Sequence, residues 1–101
     1  MVRSEKPILW STHAERDLFL IWRTGADSWS PAVADNHLRA INSACDRLVR
    51  DPKLGRARDE LSAGIRSTLV DPHVVFYRVT TSTIEIVRVM HQHEDIEIIF
   101  H

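Results

Sequence analysis

Five side chains between residues 66 and 93 have the chemistry to do more than hold a fold. Arg66, Arg78 and Arg88 each interrupt a run of strand-forming residues, and His91 and His93 come close behind. An arginine inside an apolar strand must meet a carboxylate or lie on a wet face, because burying an unpaired guanidinium costs several kcal/mol. The histidines titrate near neutral pH and are able to move protons. Their alternate spacing puts both on one face of an extended chain, which suits a metal ion, but no third ligand is identifiable and no metal or other cofactor is assigned. Cys45, the single cysteine, excludes an internal disulfide. It falls in an apolar helical stripe and reads as a small core residue.

The framework that would hold these groups is legible in the periodicity. Lys6 to Trp10 reads as a short strand. Thr12-His13-Ala14-Glu15 fits a capping box, so a helix is expected to begin at Thr12, with Ala14, Leu18, Ile21 and Trp22 on its apolar stripe and Gly25 as its stop. His13 is expected to be solvated. Ser30 followed by Pro31 is a good N-cap and N1 pair for a second helix running to about Arg50. Its apolar positions Ala34, Leu38, Ile41, Cys45, Leu48 and Val49 recur in steps of three and four, so the two helices should form a hairpin. Asp35, Arg39, Asn42, Asp46 and Arg50 make its polar face. The helix must end before Asp51-Pro52.

Strands are expected over residues 65–69, 74–79 and 84–90. If Thr80 faces Thr83, Arg78 lies opposite Glu85 on one face and Tyr77 opposite Ile86 on the other. Arg78 and Glu85 are therefore read as a structural ion pair. Register supplies no partner for Arg66 or Arg88, which become candidates for contact with a target or partner, together with His91 and His93. Strict alternation places Glu85, Val87, Val89 and His91 on one face, and Ile84, Ile86, Arg88 and Met90 on the other. Both faces are mostly apolar, so helices should cover one and the C-terminal tail or a partner chain the other. The apolar end of the tail (Ile96, Ile98, Ile99, Phe100) also needs cover. The whole reads as an α+β domain: an N-terminal strand, a two-helix hairpin, then a three- to four-stranded antiparallel sheet.

The wording of these segments is similar to the ParE branch of the RelE/ParE toxins of bacterial type II toxin-antitoxin pairs. The resemblance rests on Pro52-x-x-Gly55-Arg56, Asp59-Glu60-Leu61, Gly64-Ile65-Arg66-Ser67, Val75-Phe76-Tyr77-Arg78-Val79 and Ile86-Val87-Arg88-Val89-Met90-His91-Gln92. Upstream, Ala14, Asp17, Leu18, Ile21 and Trp22 match the family's A-x-x-D-L-x-x-I-W, so it spans nearly the whole chain. Trp29 occupies the place of the family's W-G turn, with Ser30 for the glycine, and Glu94 replaces the usual methionine of the closing H-Q-x-x-D.

The resemblance implies a toxin that inhibits DNA gyrase without catalysis and is neutralised by a ParD-like antitoxin. Trp29, Gly64, Tyr77, Arg78 and Glu85 are assigned structural roles. The alternative is a ribosome-dependent mRNA endonuclease of the RelE kind, in which Arg66, Arg88 and His91 would surround a phosphate and its proton donors. That branch commonly relies on extra lysines and a tail tyrosine, and this tail has none. A third reading, prompted by Glu94, is a degenerate toxin that only binds its antitoxin.

Composition narrows the classes further. A chain of 101 residues makes one domain, 1–101, with a single core. Thirteen Lys and Arg against fourteen Asp and Glu give a formal charge of -1, which argues against broad, salt-driven nucleic-acid binding. The N-terminal apolar run is too short for a signal peptide or a membrane span, so the cytoplasm is the expected location.

Overall fold

The computed structural model describes residues 6–96 and 100. A strand β1 (Ile8–Trp10) leads into helix α1 (Thr12–Ser28), helix α2 (Pro31–Arg50), a two-residue strand β2 (Arg56–Ala57) and the strands β3 (Ile65–Val70), β4 (His73–Val79) and β5 (Ile84–His91). The five strands form one sheet in the order β1-β5-β4-β3-β2. The α+β expectation holds, with one addition: β1 runs parallel to β5, so the sheet is mixed.

Local capping chemistry explains where the helices begin. Ser30 accepts a hydrogen bond from the Val33 amide and Pro31 occupies the first turn, as expected for α2. For α1 the cap is Ser11 rather than Thr12. Its hydroxyl accepts from the Ala14 amide and donates to the Val87 carbonyl, while its own amide donates to the Ile86 carbonyl. Only Ser11 sits where one residue can both start the helix and continue the edge of β5. Gly25 does not end α1, which continues to Ser28 and closes when the Trp29 amide donates to the Gly25 carbonyl. The glycine serves packing instead: a Cβ there would lie 3.3 Å from the Ala34 Cβ of α2. Its absence lets the two helices approach closely.

The helix hairpin covers one face of the sheet. Ala14, Ile41, Cys45 and Leu48 pack on Val75, Tyr77, Ile84, Ile86 and Val89, all buried. A large aliphatic side chain buried there contributes about 1.5–3 kcal/mol. Burial pushes the Cys45 thiol up to about 12, with the Asp46 charge adding to it, so the thiol is neutral and inert at ordinary pH. On the opposite face Ile65, Phe76 and Met90 are covered by Leu61, Ile96 and Phe100, the last with its ring 5.0 Å from that of Phe76. Loop and tail together therefore provide the cover expected for the second face; Ile98 and Ile99 lie outside the described residues.

The β4–β5 register confirms Arg78 opposite Glu85 and Tyr77 opposite Ile86, but it shifts by one between Phe76 and Tyr77, since Phe76 pairs with Arg88. Val87 is the extra residue of a bulge. Alternation breaks there, so Val87 packs against the Phe76 and Met90 cluster while Val89 joins the helix-side core with Ile84 and Ile86. The expectation that Val87 and Val89 share a face is thus overturned by one inserted residue. At the turn, Thr80 and Thr83 face each other. The Thr80 amide donates to the Thr83 carbonyl at 2.9 Å, and the Thr80 hydroxyl accepts from the Thr83 amide at 2.8 Å.

Candidate functional site

Arg88, expected to be unpartnered, is held by Asp17. Its Nε and a terminal nitrogen donate to the two carboxylate oxygens at 2.8 and 3.0 Å, and one of those oxygens also accepts from the Val89 amide at 2.9 Å. The Asp17 hydrogen bonds raise the pKa of the guanidinium against the opposing effect of burial, keeping it charged. Asp17 therefore does two jobs. It neutralises an arginine and closes the edge of β5 beyond the point where β1 ends.

Arg66 is also engaged. One terminal nitrogen donates to the Gly55 carbonyl at 2.6 Å and the Lys53 carbonyl at 3.1 Å, leaving Nε buried without a hydrogen-bond acceptor. Beside it the fully buried Tyr77 hydroxyl donates to the Pro52 carbonyl at 2.7 Å and accepts from the Gly55 amide at 2.9 Å. Gly55 has to be glycine, since a Cβ would fall 2.5 Å from the Tyr77 oxygen and 2.7 Å from the Ser67 carbonyl. Pro52-x-x-Gly55, Arg66 and Tyr77 are thus one unit that fastens the segment between α2 and β2 to the sheet. Gly64 has φ of +79°, which favours glycine, and its amide donates to Asp59.

Arg78 meets Glu85 at 3.9 Å with both side chains about one-third exposed, a loose contact beside the Arg88 clamp. Trp29 stands at the turn between the helices, but its backbone amide closes α1 while the residue is 79% exposed. The ion pair expected between Arg78 and Glu85 is thus present but loose, whereas Arg66 and Arg88, for which register supplied no partner, are the two arginines held firmly.

His91 and His93 lie at the other end of the β4–β5 hairpin and meet two histidines that no sequence signal singled out. His37 of α2 and His73 at the start of β4 share a hydrogen bond, Nε2 to Nδ1, at 2.8 Å. The rings of His73 and His91, paired across the strands, are 5.5 Å apart, and those of His91 and His93 are 5.1 Å apart. His93 lies beyond β5, in a turn where its amide donates to His91 Nδ1. Glu94 accepts from the His91 amide at 3.1 Å. His37, His73, His91 and Glu94 line one end of a cavity of about 580 Å³ whose other walls include Leu20, Ile21, Trp29 and Val33. Burial lowers the pKa of His37, and it pushes His73 down to about 4 with help from the charges of His37 and His91. Among the described residues no three histidine, cysteine or carboxylate side chains are arranged to hold a metal ion. Periodicity missed His37 because it lies beside the apolar stripe of α2, and His73 because it lies at the entrance of its strand.

A two-helix hairpin on a small mixed sheet, with strand arginines tied to Asp17 and to the segment before β2, defines an α+β protein of the RelE/ParE toxin kind. Residues 8–96 match the family described as ParE toxin of type II toxin-antitoxin system, parDE, and the chain belongs to that family. It is 40% identical over 90 residues to Toxin ParE1 of Mycobacterium tuberculosis, covering 88% of this chain and 92% of that one. Among solved structures, a chain of the chromosomal ParDE system from P. aeruginosa shares the fold with a TM-score of 0.75 at 24% identity, covering 86% of this chain and 96% of that one. A chain of the RelBE2 toxin-antitoxin complex of Mycobacterium tuberculosis aligns with a TM-score of 0.60 at 26% identity, over 87% of this chain and 99% of its own. No described helix is long and apolar enough to cross a membrane.

Proposed function

We propose that this chain acts in the cytoplasm as the toxin of a type II pair, inhibits DNA gyrase, and is neutralised by a ParD-like antitoxin. Membership of the ParE family supports the reading, and the commitment of the polar groups is the observation that carries it. Cleaving RNA requires cations and proton carriers that converge on one phosphate. Here Arg88 is engaged by Asp17 and Arg66 by two carbonyls, and the only tyrosine is buried with its hydroxyl fully occupied. Such an arrangement favours a molecule that works by binding. His91 and His93 keep their candidacy for contact with target or antitoxin, while Arg66 and Arg88 fasten the segment before β2 and helix α1 to the sheet. Leu20, Trp29 and Val33, exposed around the cavity, offer apolar surface to an antitoxin segment that orders on binding.

The deciding experiment uses purified protein in two assays: gyrase supercoiling with detection of DNA breaks, and cleavage of ribosome-bound mRNA. Gyrase inhibition with intact mRNA is expected. Ribosome-dependent cleavage with supercoiling untouched would overturn the proposal in favour of the RelE-like reading, which the likeness to a chain of the RelBE2 complex and the neighbouring His91 and His93 keep in view. Co-expression with the product of the adjacent reading frame should raise solubility and give a stable heteromer.

A further inference from the structure

We propose that the His37–His73 contact is a proton-operated latch which, while closed, holds α2 against the sheet in the wall of the cavity. Two imidazoles in contact through ring nitrogens 2.8 Å apart need one lone pair between them. A neutral pair satisfies this, and so does a pair carrying one extra proton. A second extra proton leaves two donors facing each other and sets two positive rings in contact. The latch therefore holds until both rings are imidazolium, and then it must open.

Most of its surroundings disfavour the second positive charge. From α1 the cavity wall presents Leu20, Ile21 and Thr24, none of them ionisable. From the sheet come His91, whose ring stands edge-on to His73, and beyond it His93. Glu94 is the one carboxylate lining the cavity, and it acts in the opposite sense by favouring charge on His73. Asp71, at the preceding turn, is bonded to the Gln92 side chain. The helix-side core holds α2 independently through Ile41, Cys45 and Leu48, so opening is confined to the first half of the helix and widens the cavity without unfolding the protein.

The depressed pKa sets the sign. An unfolded chain protonates His73 near its ordinary 6.5 and the folded chain only near about 4. The stability contributed is complete above 6.5, is lost progressively as pH falls through about 4, and then levels off. Between pH 7.5 and 5 these two values make the unfolding constant rise roughly thirty-fold from His73 alone.

The test is nitrogen-15 imidazole NMR of the full chain from pH 8 to 3, read with the backbone amides of residues 33–38, alongside urea unfolding at pH 7.5 and 5. In the wild type the amides of that half of α2 should shift as the paired imidazoles become imidazolium. In His37→Phe and His73→Phe the α2 shifts should vanish, and in His73→Phe most of the thirty-fold term should disappear. Ring titration without movement of α2 overturns the latch even if neither variant folds. So does an equal pH dependence of wild type and His73→Phe. Saturable Zn²⁺ binding at pH 7.5 that raises the melting temperature and is lost in either variant also overturns it, assigning the imidazoles to a metal.

Discussion

Two arginines of the β4–β5 hairpin meet carboxylates on different terms. At the turn end Arg78 faces Glu85 across neighbouring strands, 3.9 Å away and open to solvent. On β5, beyond the bulge, Arg88 reaches Asp17 on α1, 71 residues away in sequence, through two bonds of 2.8 and 3.0 Å with both side chains mostly buried. An exposed pair is worth about 0–1 kcal/mol, whereas breaking a buried one costs several because a charge is left without compensation. The local pair decorates the hairpin. The distant pair joins helix to sheet and supplies a hydrogen-bond acceptor where β5 has no strand beside it.

The largest test of that contrast is Asp17→Ala, which leaves both Arg88 and the Val89 amide unsatisfied. We expect a loss of about 3 kcal/mol in urea unfolding. A loss below about 1 kcal/mol would put the clamp on a par with the turn-end pair and break the comparison. Tyr77→Phe comes next, since it strips the Pro52 carbonyl and the Gly55 amide of their shared partner without changing the core's shape. A loss of about 1–3 kcal/mol is expected, with faster proteolysis in the segment before β2 as the distinguishing readout. Arg78→Ala should be smallest, within about 0.5 kcal/mol of wild type. A double-mutant cycle sharpens the contrast, with a clear coupling energy for Asp17 and Arg88 and almost none for Arg78 and Glu85.

These unequal pairs also mark what the sequence could disclose. The Arg78–Glu85 register, the Ser30-Pro31 helix start and the burial of Cys45 were legible because each depends on neighbours within a few residues. The clamp was not, although Asp17 and Arg88 both stood among the residues that carry the family resemblance, because nothing in alternation or spacing joins a helix face to a strand so far along the chain. The Val87 bulge was hidden for a related reason: an inserted residue preserves the apolar composition of the strand while exchanging the faces of every later position in it. The capping-box pattern pointed to Thr12, and the cap falls on Ser11, whose hydroxyl also makes a tertiary bond to Val87 that no local pattern could announce. The histidine cluster draws on α2, β4, β5 and the tail, so its members come together only after the hairpin has packed on the sheet.

The buried cysteine gives the molecule a built-in clock. Cys45 lies in the seam between α2 and the sheet, and its thiol becomes reactive only when that seam parts. At low concentrations of a thiol reagent, labelling would track the population of the open form. At saturating reagent it would track the opening rate itself. One chemical trace, taken with and without a bound antitoxin, would then time how long the toxin's core stays shut.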